Sequence, residues 1–301
     1  MGMADVLAKA ESPTSLKTII TDILKQEETK EPLDPSNPNH RLSISAIASL
    51  CPREEVICGL KKISRVRVID VGLGTAFKTG HALHEVMQGS ILSESPCFLG
   101  MWSCLDCGRL HGSYDPESPG DGLIPCPELC SNPECLSNDP STKRSSWQKQ
   151  ASFMYREVRV EDTDLRVSGR MDGILSIPIY PGFGVFELKS IAQHSAWKIR
   201  HVPQAEHVIQ CQLYMELTGL KWAIILYWNK GGSGADIFVE HLVEYDPITV
   251  LELRSQILSI WKGIRDNLLP DRICATVGCT RAKACDIREQ CFNFGNFVPE
   301  E

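Results

Sequence analysis

The sequence has no run of about 18 or more apolar residues, and the stretch from Met1 to Lys30 is charged and lacks the hydrophobic region of a signal peptide, so neither a membrane span nor export is expected. No Walker-type G-x4-G-K-[ST] motif is present, which leaves no visible ATP motor. Internal repeats and low-complexity tracts are also missing. Positive charge is in deficit, with 31 Lys+Arg against 38 Asp+Glu for a net charge of −7. Proteins that coat nucleic acid non-specifically do so mainly with lysines and arginines on phosphates, so that class is excluded. A local basic strip is still allowed, and Arg156, Arg159, Arg166, Arg170, Lys189, Lys198, Arg200 and His201 supply one. Its plain alternative is a solvated strand surface. With 43% apolar and 23% charged residues, the 301-residue chain is of ordinary globular type, enough for one large domain or two smaller ones. Collagenous, coiled-coil and wholly disordered readings fall away.

What the chain has in excess is cysteine, 13 in all. An odd total in a chain expected to stay in a reducing compartment argues against a disulfide framework and for metal. Six of the thirteen lie in residues 97–147, a stretch rich in Gly, Pro, Ser and Asp with little apolar periodicity, which cannot build a packed core unaided. Around it the patterns are regular. Leu16, Ile19, Ile20, Ile23 and Leu24 recur with helical spacing before three prolines between residues 31 and 38 break it. Residues 43–51 read as a serine-capped helix running into Cys51-Pro52, and residues 80–87 as part of a second amphipathic helix. Residues 155–160, 165–175 and 184–189 alternate as three successive strands of one sheet. A helix over 207–219 closed by Gly219, a buried strand over 222–228, a strand over 237–245 and a long helix over 248–269 ended by Pro270 complete the chain before its cysteine-bearing tail.

Asp172 ends one of these strands and Glu187-Leu188-Lys189 the next, so a hairpin brings them to one end of the sheet, and the period of two puts Glu187 and Lys189 on one face. Two such carboxylates repel unless a hard divalent cation such as Mg²⁺ or Mn²⁺ lies between them. A lysine beside it can orient or help deprotonate a water and stabilise charge growing on a phosphate. Alone, D…ExK is a common pattern of solvated charges. Gly80-x3-His84 upstream and Gln210-x3-Tyr214 downstream, the latter pair sharing a helix face, add to it.

These four elements, in this order, resemble the RecB-like branch of the PD-(D/E)xK nucleases over residues 41–292, and in particular its phage exonucleases and CRISPR-adaptation nucleases. The resemblance implies an α/β fold, a restriction-endonuclease-like core with a mixed central sheet flanked by helices, and a chain of the bacterial cytoplasm, from the host or a phage. It implies that His84, Asp172, Glu187 and the carbonyl of Leu188 hold Mg²⁺ or Mn²⁺, that Lys189 is catalytic, and that Gln210 and Tyr214 position the scissile strand or Lys189. Met171 stands where the family name has proline. His81 is a rival to His84 but lacks the glycine four residues before it.

Cys285-x5-Cys291, preceded by Cys274 and Cys279 and paired with distant Cys51, resembles the same branch's iron–sulfur staple; a [4Fe–4S] cluster takes four thiolates. The spacing departs from the usual C-x2-C-x5-C, and Cys274 is placed ahead of Cys279 as the fourth ligand. Cys104-x2-Cys107 with Cys126, Cys130 and Cys135 resembles a zinc-ribbon-like insertion. Its second pair is Cys126 with Cys130 or with Cys135, and His111 is an outside candidate for Zn²⁺. Cys58, Cys97 and Cys211 read as small core residues. The expected division is 1–40, helix and connector; 41–96, helical part of the nuclease domain; 97–147, zinc-binding insertion; 148–270, nuclease core; 271–301, iron–sulfur segment. The function implied is metal-dependent hydrolysis of DNA at ends or single strands in recombination, replication or repair. Alternatives are a non-catalytic DNA-end-binding module and a subunit that trims DNA only beside a helicase, annealing protein or integrase.

Overall fold

The computed structural model of the chain describes residues 16–139 and 152–293; expectations for the flanks and for the end of the cysteine-rich stretch lie outside the described residues. In chain order the elements are α1 (Leu16–Leu24), β1 (Gln26–Lys30), β2 (Leu42–Ser43), α2 (Ile44–Ile47), α3 (Pro52–Lys61), β3 (Arg65–Ile69) and α4 (Val71–Val86), which runs on as a π-helical turn, Met87–Ile91. Then come β4 (Phe98–Leu99), β5 (Met101–Cys104), β6 (Leu110–His111), β7 (Phe153–Arg156), β8 (Val158–Asp162), β9 (Val167–Met171), β10 (Gly173–Leu175) and β11 (Gly184–Ile191). The rest is α5 (Ala205–Thr218), β12 (Trp222–Asn229), β13 (Phe238–Glu244), α6 (Pro247–Arg265), α7 (Thr280–Lys283) and α8 (Arg288–Asn293).

The α/β class and the mixed sheet flanked by helices are as expected. The central sheet has the order β13-β12-β11-β10-β4, parallel only between β11 and β12, which α5 connects. Strand β11 is hydrophobic on both faces, as a strand covered on both sides must be, and its Val185, Phe186, Glu187 and Leu188 are all buried. Helix α5 is likewise buried nearly all round, and Gly219 ends it in the left-handed region at φ 72°.

Four sequence expectations are corrected. The strands around Asp172 belong to two sheets: β9 pairs with β8 and β2, while β10 pairs with β11 and β4. The chain changes partners at Asp172 and, on the neighbouring strand, at Glu157, where β7 joins β5 and β8 joins β9. Residues 26–30, assigned to an irregular connector, form β1 against β3; Lys30 Nζ and Arg65 Nη2 each reach the buried Glu55 carboxylate at 2.8 Å and fasten that ribbon to α3. Helix α2 is a single turn after a short strand, and Ser43 precedes it without a side-chain cap. Helix α6 stops at Arg265, short of Pro270.

Candidate active site and cysteine sites

The register of β8 and β9 pairs Val158 with Met171, so the next residues outward, Glu157 and Asp172, leave the ribbon side by side where each strand changes sheet. Gly173 makes the switch possible, since a Cβ there would come within 2.2 Å of the Phe98 ring. Asp172 is 6% exposed. Its Oδ2 accepts from the backbone N of Leu188 at 2.7 Å, its Oδ1 lies 3.1 Å from His84 Nδ1, and its carbonyl accepts from the Gln88 side chain at 2.9 Å. The last of these comes from the π-helical turn that extends α4.

From the other side, α5 presents Gln210 and Tyr214 one turn apart. Gln210 Nε2 donates to Glu187 Oε1 at 2.8 Å while its Oε1 accepts from Lys189 Nζ at 3.0 Å, and Tyr214 OH donates to the Arg170 carbonyl at 2.6 Å. Lys189 Nζ is also 2.6 Å from Glu187 Oε1. The structure therefore brings His84, Asp172, Glu187, Lys189, Gln210 and Tyr214 into one connected constellation. His81 lines the adjoining cavity but is not in that network.

The electrostatics are those of a site short of positive charge. Burial and the Asp172 carboxylate hold the Glu187 carboxyl well above the usual carboxylate range, and its Oε2 is buried with no hydrogen-bond partner among the described residues. Burial opposes the Lys189 ammonium, but the Glu187 carboxylate outweighs it and raises the lysine above its ordinary value. Burial similarly opposes His84 protonation, yet its hydrogen bond to Asp172 raises it. Each shift reflects excess negative charge in a low-dielectric setting, which a divalent cation relieves. The donor set, carboxylate oxygens with one imidazole, and the orphaned Glu187 oxygen fit such a cation.

His84, Glu157 and Asp172 each offer a ligand atom within 4.8 Å of the others. Glu157 escaped the sequence reading because its nearness to Asp172 depends on strand register, for which no motif spacing stands. Two open cavities meet at His84 and Lys189. One of about 520 Å³ is bordered by Arg41, Arg159, Arg170, Ser43 and Ser168, and one of about 940 Å³ by Lys78, His81, Glu157 and Lys230. His84 and Lys189 thus border both cavities.

In the cysteine-rich stretch the thiols of Cys104, Cys107, Cys130 and Cys135 lie within 4.8 Å of one another, with Sγ separations of 3.6 Å for Cys104–Cys135 and 3.5 Å for Cys107–Cys130. Zn–S bonds of about 2.3 Å arranged tetrahedrally place sulfurs about 3.8 Å apart, so these four fit a structural zinc. Gly108, at φ 72°, makes the tight turn after Cys107. Asn138 ties the second pair together by accepting from the Cys130 N and donating to the carbonyls of Cys130 and Asn132. Neither pairing expected for Cys126 is seen: Cys126 falls outside the group, its Sγ 3.9 Å from the Pro127 carbonyl, and Cys130 and Cys135 form the second pair. His111 Nε2 lies 3.5 Å from Cys130 Sγ, beside the four thiols.

Cys51, Cys274, Cys285 and Cys291 line a separate cavity of about 260 Å³ together with Arg53, Arg272, Arg281 and Arg288. Cys279 caps α7, its Sγ accepting from Ala282 N at 3.4 Å, with its thiol beside that of Cys274. Arg281 donates to the carbonyls of Ser49 and Leu50 and Arg53 to that of Pro270, so the tail is stitched to the chain just before α3. Cys58 and Cys211 are fully buried, and Cys97 is half-buried.

No family model and no curated protein matches the chain. Among solved structures it is similar to an alkaline exonuclease, LHK-Exo, from Laribacter hongkongensis, at TM-score 0.43 and 12% identity over 76% of this chain and 89% of that one. The same exonuclease in complex with dAMP gives TM-score 0.42 and 12% identity over 77% and 91%. A protein named SSO0001 gives TM-score 0.34 and 13% identity over 73% and 75%. Likenesses this distant leave the functional reading to the site's own geometry.

Proposed function

We propose that this chain is a divalent-metal-dependent deoxyribonuclease of the PD-(D/E)xK type, acting at DNA ends or single strands. The observation that carries the reading is the closed ring of Glu187, Lys189 and Gln210 beside Asp172 and Tyr214, with a buried carboxylate oxygen of Glu187 left without a hydrogen-bond partner among the described residues. Leaving such an oxygen buried costs stability, and a cation supplies what it lacks. Asp172, Glu187 and His84 would hold the ion together with the Leu188 carbonyl, and Glu157 joins the set from the side of the larger cavity. When bound, Mg²⁺ or Mn²⁺ offsets charge on the phosphate and lowers the pKa of a bound water.

The protein's own groups have distinct tasks. Lys189, whose Nζ lies 2.6 Å from Glu187 Oε1, would donate toward phosphate or nucleophile oxygens and stabilise charge growing there. Gln210 accepts from Lys189 and donates to Glu187, so it fixes both reacting side chains with one amide. Tyr214 anchors the start of the Asp172 turn through the Arg170 carbonyl. The thiols of Cys104, Cys107, Cys130 and Cys135 fit zinc, and Cys51, Cys274, Cys285 and Cys291 fit a [4Fe–4S] cluster whose negative charge the lining arginines offset.

Digestion of end-labelled linear and circular DNA with Mn²⁺ or Mg²⁺ tests the reading. Metal-dependent cleavage that falls at least about a hundredfold in Lys189→Ala is expected, the scale of losing one electrostatic stabiliser. DNA binding without cleavage by the wild type, or equal rates in the variant, would move the reading to an end-binding module.

A further inference from the structure

The basic strip noted in the sequence is only partly used by the site. From Leu188 to Ala205 the chain carries no acidic residue, although the whole molecule has net charge −7, and it carries Lys189, His194, Lys198, Arg200 and His201 there. This segment leaves the very strand that bears Glu187 and Lys189. It forms a 3-10 helix, Gln193–Ile199, and bends over residues 200–202 before reaching α5. Two inward residues hold it: Ile191 is buried and its carbonyl accepts from Lys230 N at 3.0 Å, while Ile199 is fully buried and its carbonyl accepts from His241 Nε2 at 2.6 Å. A Cβ on Gly231 would come within 2.7 Å of Gln193 Oε1, so the start of the segment is seated against the turn that carries Lys230. Lys230, Ser190 and Lys189 in turn border the larger cavity of the site.

On this anchored segment Trp197 is 73% exposed and Val202 66% exposed, with Lys198 Nζ 5.8 Å from the indole centroid. Tryptophan is ordinarily buried over most of its surface, so a ring held out on a short, pinned helix among cations calls for a partner. A flat aromatic face flanked by positive charge, on the segment that leaves the Glu187–Lys189 strand, matches the chemistry of unpaired bases on a phosphate backbone; a stacked duplex offers a free base face only at its ends. Arg200 approaches Asp236 at 3.5 Å, but both are well exposed, a contact that water and salt screen.

We propose that residues 193–202 form a stacking platform for a single strand of DNA adjoining the Glu187–Lys189 site, with Trp197 receiving a base and Lys198 and Arg200 the neighbouring phosphates. This inference rests on the nuclease reading for its substrate and deepens it to strands with unpaired ends.

Fluorescence anisotropy of a labelled oligothymidylate and of a blunt duplex of equal length, in buffer without added Mg²⁺ or Mn²⁺, tests it on the full chain. Trp197→Ala is expected to weaken single-strand binding about tenfold or more, the scale of one stacked base, with duplex binding little changed; Trp197→Phe retains most of the affinity. The double variant Lys198→Gln/Arg200→Gln is expected to reduce the salt slope of single-strand binding by about 1.4, roughly 0.7 for each lost phosphate contact. Unchanged single-strand affinity in Trp197→Ala, equal losses for single strand and duplex, or an unchanged slope would overturn the platform. Hydrolysis of bis(p-nitrophenyl) phosphate by the wild type with Mn²⁺ reads the active site without any strand. No hydrolysis beside Trp197-dependent binding sinks the nuclease reading alone, whereas hydrolysis beside Trp197-independent binding sinks the platform alone.

Discussion

His207 precedes Gln210 by one turn on α5, and its ring accepts through Nδ1 the proton of Tyr227 OH at 2.8 Å, a hydroxyl already accepting from Gln204 N. Burial, aided by the Lys189 charge, drives its pKa down from 6.5 to about 3, so the folded protein holds it neutral. The unfolded chain therefore binds one more proton between these values, and stability is lost as pH falls through that window. The expected slope from this residue is about 1.4 kcal/mol per pH unit below about 6.5. Urea unfolding at a series of pH values, with His207→Gln flattening that slope, measures it; an equal slope in both proteins would remove His207 as the cause. At this scale the sequence was informative wherever spacing maps onto one element. Gln210 and Tyr214 share a helix face and Glu187 and Lys189 a strand face, so their meeting was legible. Glu157 was not, because only the pairing of β8 with β9 sets it beside Asp172. The placement of Cys126 and Cys135 was equally hidden, since no cysteine spacing shows which thiol joins the converging four.

At the level of elements, the two breaks at Glu157 and Asp172 are what make a site from ordinary strands. Alternation along residues 155–160 and 165–175 reads as two continuous strands because side chains keep their period of two through a change of partner. What marks the break is glycine: Gly169 packs against Tyr214 and Ile44, and Gly173 against Phe98, leaving no room for side chains on either flank of Arg170-Met171-Asp172. Gly173→Ala is expected to push the fully buried Phe98, which packs against Trp102, Tyr155 and Phe186, and to cost about 1–3 kcal/mol, as overpacking does. Because the strain acts next to Asp172, cleavage should fall along with the urea midpoint. A variant as stable and as active as the wild type would show that β10 tolerates a Cβ and that the switch has another cause. The short β1–β3 ribbon was unreadable for a different reason. Gln26-Glu-Glu-Thr-Lys30 has no apolar alternation, and its pairing is held by Arg65 and Lys30 on Glu55.

Across the whole molecule the two cysteine groups do different work, and their separations along the chain say why. Cys104 to Cys135 closes a local loop, so a zinc ion held there would contribute folding free energy to the insertion alone. Cys51 and the tail cysteines enclose nearly the entire core between them, and ligation across that span would restrict the unfolded chain more than a local loop does. The arginine contacts of Arg53 and Arg281 already align the two ends, but these are single hydrogen bonds on a partly exposed surface. Cys285→Ser is therefore expected to lose bound iron and the brown visible absorbance, to lower the thermal midpoint of the whole chain, and to speed tryptic cleavage in the tail around Arg272 and Lys283, with zinc retained. Cys130→Ser is expected to lose zinc while keeping iron and to expose the insertion to proteolysis first. Cys126→Ser should keep both metals, since its thiol stands outside the four that converge. Metal analysis of the three purified variants decides the assignment: iron retained in Cys285→Ser would undo the staple, and zinc lost from Cys126→Ser would undo the four-thiol site.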